Sequence, residues 1–412
     1  MSTHFKHARR PARGRGQRTR HTSPHKRPFG RGGHRPGNAN RPISRGQHID
    51  VSRFINKAVI TEETEHFVPE HHFADFLING ALKKNIAAKG YLTPTPIQDK
   101  AISHILKGQD VVGIANTGTG KTGAFLIPLI NKVLLERKER VLIIVPTREL
   151  ALQIEEEFWG FASHMRIGAV TCVGGTNIRP QIANLRRNPN FVIGTPGRLK
   201  DVIERRALNL GNFSTVVLDE ADRMLDMGFI RDMKFILSLM PSVRHTLFFC
   251  ATISQEIERL ISDFLKGPVR ISVKMGDTAR SVEQDIVRML GKNKLDVLHE
   301  LLVQPGFGKV LVFGRTKHGV ERLTKLLVGK GFKAESIHGN KTQSNRQRAL
   351  DAFKKDKIQI LVATDVAARG LDIPKVSHVI NYDVPGTYDD YVHRIGRTGR
   401  AGLRGVALTF VE

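Results

Sequence analysis

Short apolar runs punctuate this sequence, separated by longer stretches in which apolar residues return every three or four positions. The runs "DVVGIA", "RVLIIVP", "AVTCV", "FVIGT", "STVVLDE" and "HTLFFCAT" are short and carry little polar alternation. That is the pattern of strands covered on both faces. Such strands are joined by helical crossovers, which restricts the chain to parallel α/β sheets. A second series, "KVLVFGR", "KAESIHG", "IQILVAT", "VSHVINYD" and "GVALTFVE", follows a polar, irregular stretch at residues 274–284, "KMGDTARSVEQ". We read that stretch as a linker between a first domain over 68–273 and a second over 285–412. The last expected strand runs to Glu412, so a closing helix is expected to be missing from this sequence.

Two domains agree with the length of 412 residues, at roughly 100–200 residues per domain. Residues 1–67 form a basic extension of another kind. The segments "RRPARGRGQRTR" and "RPFGRGGHRPG" have no apolar periodicity and abound in Gly, Pro and Arg, so disorder is expected there. Residues 1–50 hold 13 Lys and Arg against Asp50 alone, or +12, which leaves +14 of the total +26 on the remainder. A balance this basic points to a polyanion, nucleic acid before an anionic membrane surface. Arginines beside glycines suit phosphates and stacked bases of single strands, and the alternative is a solubilising tail. An acid-free, Arg-rich start is also the composition of a transit peptide, but Gly and Pro spoil the amphipathic helix such a peptide needs. With neither a secretory segment nor a run of about 18 apolar residues, a soluble, intracellular, cytoplasmic protein is expected, with no membrane partner. Two cysteines, Cys172 and Cys250, make neither a disulfide framework nor a zinc site.

The strand "DVVGIA" runs into "ANTGTGKTGAF", residues 115–125, close to the phosphate-binding pattern G-x-x-x-x-G-K-[ST] with Ala115 at the first Gly. Gly118 and Gly120 let backbone N–H groups approach phosphate oxygens, Lys121 reaches the terminal phosphates, and Thr122 can hold Mg²⁺ at a helix N-terminus. Asn116, Thr117 and Thr119 complete the loop. In "TVVLDEADRML", residues 215–225, another apolar strand ends on Asp219, Glu220 and Asp222. Carboxylates that close resist ionising together unless a metal, a movable proton or a basic partner lies among them. A phosphate-binding loop needs such a second acidic strand end. Asp219 would then contact Mg²⁺ and Glu220 would orient or deprotonate the attacking water. The two motifs are expected on two neighbouring strands of one sheet. A helix macrodipole alone would explain one or two of the carboxylates, but not their pairing with Lys121.

"DEAD" at 219–222 beside "ANTGTGKT" resembles the DEAD-box RNA helicases, and the resemblance extends over roughly residues 73–412. It implies two tandem RecA-like domains, ATP and Mg²⁺ as ligands, RNA as a largely sequence-independent partner, and RNA-stimulated ATP hydrolysis. Phe73, Gly90 and "PTPIQ" at 94–98 resemble the adenine-reading motif, with Gln98 on the base edge and Phe73 packed on the base. "PTREL", with Pro146, Thr147 and Arg148, "GG" at Gly174 and Gly175, and "TPGR", from Thr195 through Pro196 and Gly197 to Arg198, resemble the family's RNA-contacting loops. In the second domain Gln343 and Arg346 of "HGNKTQSNR" and Thr364 of "ATDVAARGLD" resemble further RNA contacts, which favour RNA through its 2′-hydroxyls. In "HRIGRTGR", Arg397 and Arg400 resemble fingers on the ATP phosphates, with Asp372 on the ribose. The relay from Asp222 through Thr252 to His393 resembles the device that couples hydrolysis to unwinding.

One departure lies in that relay: Cys250 of "CAT" stands where most of the family has Ser, and a thiol is a weak donor. A small buried apolar role for Cys250 is the preferred reading. Two rival functions remain on sequence alone, an ATP-gated RNA clamp with little unwinding and a small-molecule P-loop enzyme. A monomer acting on ribosomal or messenger ribonucleoprotein is the expected setting.

Overall fold

A computed structural model of the chain describes residues 50–55, 67–116, 118–273, 282–368, 373–399 and 404–411. The expected tail over 1–49, the segment 56–66, most of the expected linker, and Thr117, Asp372 and Arg400 lie outside the described residues.

In the first lobe, strands β1 (Val111–Ile114), β2 (Val141–Ile144), β3 (Ala169–Cys172), β4 (Phe191–Gly194), β5 (Thr215–Leu218), β6 (His245–Cys250) and β7 (Val269–Ser272) form one parallel sheet in the order β3-β4-β2-β5-β6-β1-β7. In the second, β8 (Val282–Arg288), β9 (Val310–Phe313), β10 (Ala334–Ile337), β11 (Ile360–Ala363), β12 (His378–Asn381) and β13 (Gly405–Val411) form another, in the order β10-β11-β9-β12-β13-β8.

Period-2 side-chain alternation explains why the central strands read as unbroken apolar runs. Val141, Ile143, Val217 and Phe249 point into one core, while Leu142, Ile144, Val216 and Phe248 point into the other on the opposite face. The second sheet repeats this, with Val310, Val312 and Ile380 on one side and Leu311, Phe313 and Val379 on the other. Both faces need apolar residues, so alternation vanishes from the sequence.

Two strands escape the sequence pattern. Both β7 ("VRIS") and β8 ("VEQDIVR") are edge strands with exposed polar positions. Edges carry charge because an apolar one would recruit other strands. Consequently β8 begins at Val282, inside the stretch read as an irregular linker.

Residues 50–55 also depart from the reading of 1–67 as a disordered extension. Asp50 caps a 3₁₀ turn over Val51–Phe54, and Phe54 is 1% exposed in a cluster of the second lobe with Val282, Tyr391, Ile395 and Ala407. Its ring lies 4.8 Å from that of Tyr391. A lone aromatic in a polar segment carries no periodicity, so nothing local announces this docking.

Candidate active site and nucleic-acid interface

The strand order sorts the motifs along one edge of the first sheet. The phosphate-type loop follows β1, the acidic turn follows β5, and Ala251–Thr252 follow β6, which lies between them. The expectation that the loop and acids sit on neighbouring strands is corrected by that intervening β6. It places Asp222 and Thr252 side by side, so two residues of the expected relay lie at the centre of the site. The loops at 146–150, 174–176 and 195–198 follow β2, β3 and β4, the adjacent strands of the other half-sheet. Crevices at the carboxyl ends of parallel strands are the usual ligand sites of α/β sheets.

The loop turns tightly because Gly118 and Gly120 take φ of 85° and 94°, a region that side chains resist. A Cβ on Gly120 would approach within 2.6 Å of Gln98 Nε2. The helix Lys121–Leu135 follows at once and aims its free N–H groups into the loop. Lys121 is buried, its Nζ donating to the carbonyl of Ala115 at 2.9 Å. Thr119 Oγ1 donates to the Asn116 carbonyl at 2.8 Å, bracing the loop across its mouth.

Asp219 accepts from the N–H of Glu220 at 2.9 Å. Burial pushes its carboxyl up to about 6, against the opposing pull of Lys121 and with a further push from Glu220. Glu220 adopts φ 51° and ψ 47°, left-handed geometry that is uncommon for a residue with a side chain. Asp222 Oδ2 takes three donors from the end of β6: Ala251 N at 3.0 Å, Thr252 N at 3.1 Å and Thr252 Oγ1 at 3.2 Å. Cys250 is buried in the apolar cluster beneath, and burial holds its thiol up at about 12.

Gln98 sits in the first turn of the helix Pro96–Leu106, where its Oε1 accepts from Thr95 N at 2.9 Å and its Nε2 donates to the Gly120 carbonyl at 3.0 Å. Phe73 is buried, edge-on to Tyr91 at 6.1 Å. The structure thus joins Gln98 to the phosphate loop and packs Phe73 against Tyr91.

Across the other half of the edge, Arg148 lies over Gly174 and Gly175, where a Cβ on the second would meet the guanidinium. Arg198 donates to Gln181 Oε1 at 2.8 Å and to the Thr176 carbonyl at 3.1 Å. The two arginines therefore knit the three expected RNA loops into one surface. Thr147 and Thr195 are buried helix caps, with Pro196 in the first turn after Thr195.

In the second lobe, Gln343 and Arg346 do not face solvent. Glu149 of the first lobe takes Arg346 Nη2 at 2.8 Å and Gln343 Nε2 at 3.2 Å. Burial, with Arg346 close by, lowers the Arg148 guanidinium below its usual value. Thr364 follows β11, its N–H donating to the Ile337 carbonyl at 3.3 Å. The helix Tyr388–Ile395 carries His393, and just past its end the buried Arg397 donates Nε to the His393 carbonyl at 3.3 Å. Thr252 and His393 stand in separate lobes, with the Thr252 hydroxyl given to Asp222.

Three residues missed in the sequence anchor these parts. Glu149 joins the lobes. Arg394 holds the His393 helix through Asp365, with Nε–Oδ1 at 2.5 Å and Nη2–Oδ2 at 2.8 Å. Asp99 grips the segment before Phe73. Their neighbours in sequence are motif residues, which was the available signal.

Two parallel-sheet lobes in tandem, with a phosphate-type loop on β1 and an acidic turn on β5, define the RecA-like P-loop class. The chain belongs to the DEAD-box helicase family: the pattern described as DEAD/DEAH box helicase matches residues 95–260 and the helicase conserved C-terminal domain matches 293–402. It is 47% identical over 344 residues to the ATP-dependent RNA helicase CshA of Listeria monocytogenes, covering 82% of this chain and 66% of that protein. With the DEAD-box ATP-dependent RNA helicase CshA of Bacillus subtilis it shares 46% over 341 residues, 82% of this chain and 69% of that one. The chain thus spans about two thirds of the length of these relatives. Among solved structures, Saccharomyces cerevisiae Dbp5 bound to RNA and ADP-BeF3 superposes with a TM-score of 0.74 at 28% identity, over 82% of this chain and 89% of that one. Mss116p bound to single-stranded RNA and AMP-PNP gives 0.71 at 31%, over 81% and 72%.

Proposed function

We propose that the chain is an ATP-dependent RNA helicase, an RNA-stimulated ATP hydrolase that binds single-stranded RNA and locally unwinds short duplexes or remodels RNA–protein complexes. The observation that carries this is the single sheet edge on which Lys121, Asp219 and Glu220 occupy one half and Arg148, Gly174, Gly175 and Arg198 the other. Relatives named as RNA helicases, and solved structures holding RNA with ATP analogues, support the reading.

The residues fit a nucleoside triphosphate with Mg²⁺. The Lys121 ammonium donates to the main-chain oxygen of Ala115, at the mouth of a glycine loop that leads into a helix N-terminus. The carboxyl of Asp219 is raised by burial, and a cation there would hold it ionised. Thr122 and Asp219 would hold the metal, which supplies neutralising charge to phosphate oxygens. The loop from Ala115 to Thr122 binds the phosphates, Gln98 and Phe73 take the adenine, and Asp372 the ribose. Glu220 orients a water molecule and accepts its proton on a carboxylate oxygen. Arg397 and Arg400 approach from the second lobe to stabilise charge that develops in the transition state. Asp222, Thr252 and His393 relay the state of the ATP site to the RNA surface. Thr364 extends that surface, and Gln343 and Arg346, buried here against Glu149, join it when an RNA phosphate takes the place of that carboxylate, with contacts to the RNA backbone that leave base identity unread. Ribosomal or messenger ribonucleoproteins in the cytoplasm are its setting, and it acts as a monomer of two domains, the first over 68–273 and the second from Val282 onward with Phe54 seated in it.

ATP turnover with and without single-stranded RNA tests this. Stimulation of about tenfold or more, equal for RNAs of unrelated sequence, is expected. RNA-independent turnover would refute it in favour of a small-molecule enzyme, and ATP-dependent RNA binding with no turnover in favour of a clamp.

A further inference from the structure

Asp99 follows Gln98 in the first turn of its helix, yet its carboxylate is turned away from that helix's own N-terminus. Oδ2 accepts from the N–H of Glu70 at 2.9 Å, and Oδ1 accepts from the N–H of His71 at 3.1 Å and faces His71 Nδ1 at 2.8 Å. The side chain is 3% exposed. A carboxylate so deep persists only where its oxygens are satisfied, and here all three contacts come from a segment 28–29 residues upstream. An acid favoured simply by the helix dipole would stay near solvent and serve its own first turn.

That upstream segment carries Phe73. The His71 ring stacks on Phe76 at 5.5 Å, and Phe76 meets Phe73 edge-on at 6.2 Å. One helical turn therefore presents Gln98 toward the phosphate loop and, through Asp99, fixes the aromatic segment beside it. We propose that Asp99 is a positioning residue for nucleobase selection: by clamping the backbone at 70 and 71 it holds Phe73 in register with Gln98, without itself touching the nucleotide. This rests on Gln98 and Phe73 reading adenine, as set out above.

One amide and one ring select between bases only while their spacing is fixed, so loss of the clamp should cost selectivity rather than chemistry. The test compares RNA-stimulated turnover of ATP and GTP by the full chain and its variants, with thermal unfolding recorded for each. Asp99→Ala is expected to raise the KM for ATP about tenfold with kcat within about twofold, to leave the weak KM for GTP little changed, and so to cut ATP-over-GTP selectivity about tenfold. Asp99→Asn keeps one acceptor and should recover part of the loss. His71→Ala removes one of the three contacts at a side chain 41% exposed, so it should fold normally and lose about twofold in selectivity. Gln98→Ala serves as the reference for lost base reading. If Gln98→Ala collapses selectivity while His71→Ala and both Asp99 variants keep it, or raise both KM values equally, Asp99 is merely structural and the proposal fails. If Gln98→Ala leaves selectivity intact, base reading itself is wrong and the proposal falls with it.

Discussion

Replacing Asp365 by Asn strips the negative partner from Arg394 while keeping the shape of the site. Arg394 is buried, and its Nη1 also donates to Asn381 Oδ1 at 3.2 Å and to the Asp383 carbonyl at 2.6 Å, so the guanidinium cannot swing out to water without breaking those bonds. Removing one member of a buried ion pair costs roughly 3–5 kcal/mol, most of it from the stranded charge. Asp365 is 26% exposed, which places this pair at the lower end, about 3 kcal/mol. In a lobe of this size that corresponds to a fall in its unfolding temperature of about 10 °C. Hydrogen exchange across β11 and the helix Tyr388–Ile395, followed through urea titration, reads that lobe separately from the first. ATP turnover should fall as well, because the same helix presents His393 and leads into Arg397. Adding Arg394→Met removes the stranded charge, and the double variant should be no less stable than Asp365→Asn alone. A cost for Asp365→Asn below about 1 kcal/mol, or strict additivity in the double variant, would refute the reasoning.

Glu220→Gln should keep ATP and RNA binding but lose turnover by about a hundredfold or more, whereas Lys121→Ala should weaken nucleotide binding; wild-type hydrolysis by Glu220→Gln would exclude it as the base. Because the native Asp219 carboxyl is raised to about 6, above its unfolded value, its contribution favours folding at low pH and is lost as pH rises through 6. Asp219→Asn should therefore abolish turnover yet stabilise the nucleotide-free chain by about 3 kcal/mol at pH 8, a gain that shrinks toward pH 4 in thermal unfolding. Thr252→Ala should lower duplex release more than ATP hydrolysis, and Cys250→Ser should leave hydrolysis intact; equal losses in both activities for Thr252→Ala would argue against coupling. Deleting residues 1–50 should flatten the dependence of log RNA affinity on log salt by about 0.7 for each phosphate the tail engages, while turnover at saturating RNA barely changes. Identical slopes would leave the tail a role in solubility.

Legibility followed burial and sequence distance. Strands such as "RVLIIVP" and "TVVLDE" announced themselves because both faces are covered, whereas β7 and β8 carry the polar residues that edges demand and read as loops. The phosphate loop and the acidic turn were readable because each completes its chemistry within about ten residues. Contacts such as Glu149 to Gln343, 194 residues apart, or Arg394 to Asp365, 29 apart, arise only when the sheet order brings strand ends together. The place of β6 between β1 and β5 is of the same kind. No local pattern encodes which strand inserts between two others.

The seat of Phe54 in the second lobe means that the chain passes between the lobes twice, once through 56–66 and once through 274–281. While Phe54 stays seated, the second lobe is built from chain on both sides of the first, so in sequence the first lobe is an insertion within the second rather than a bead ahead of it.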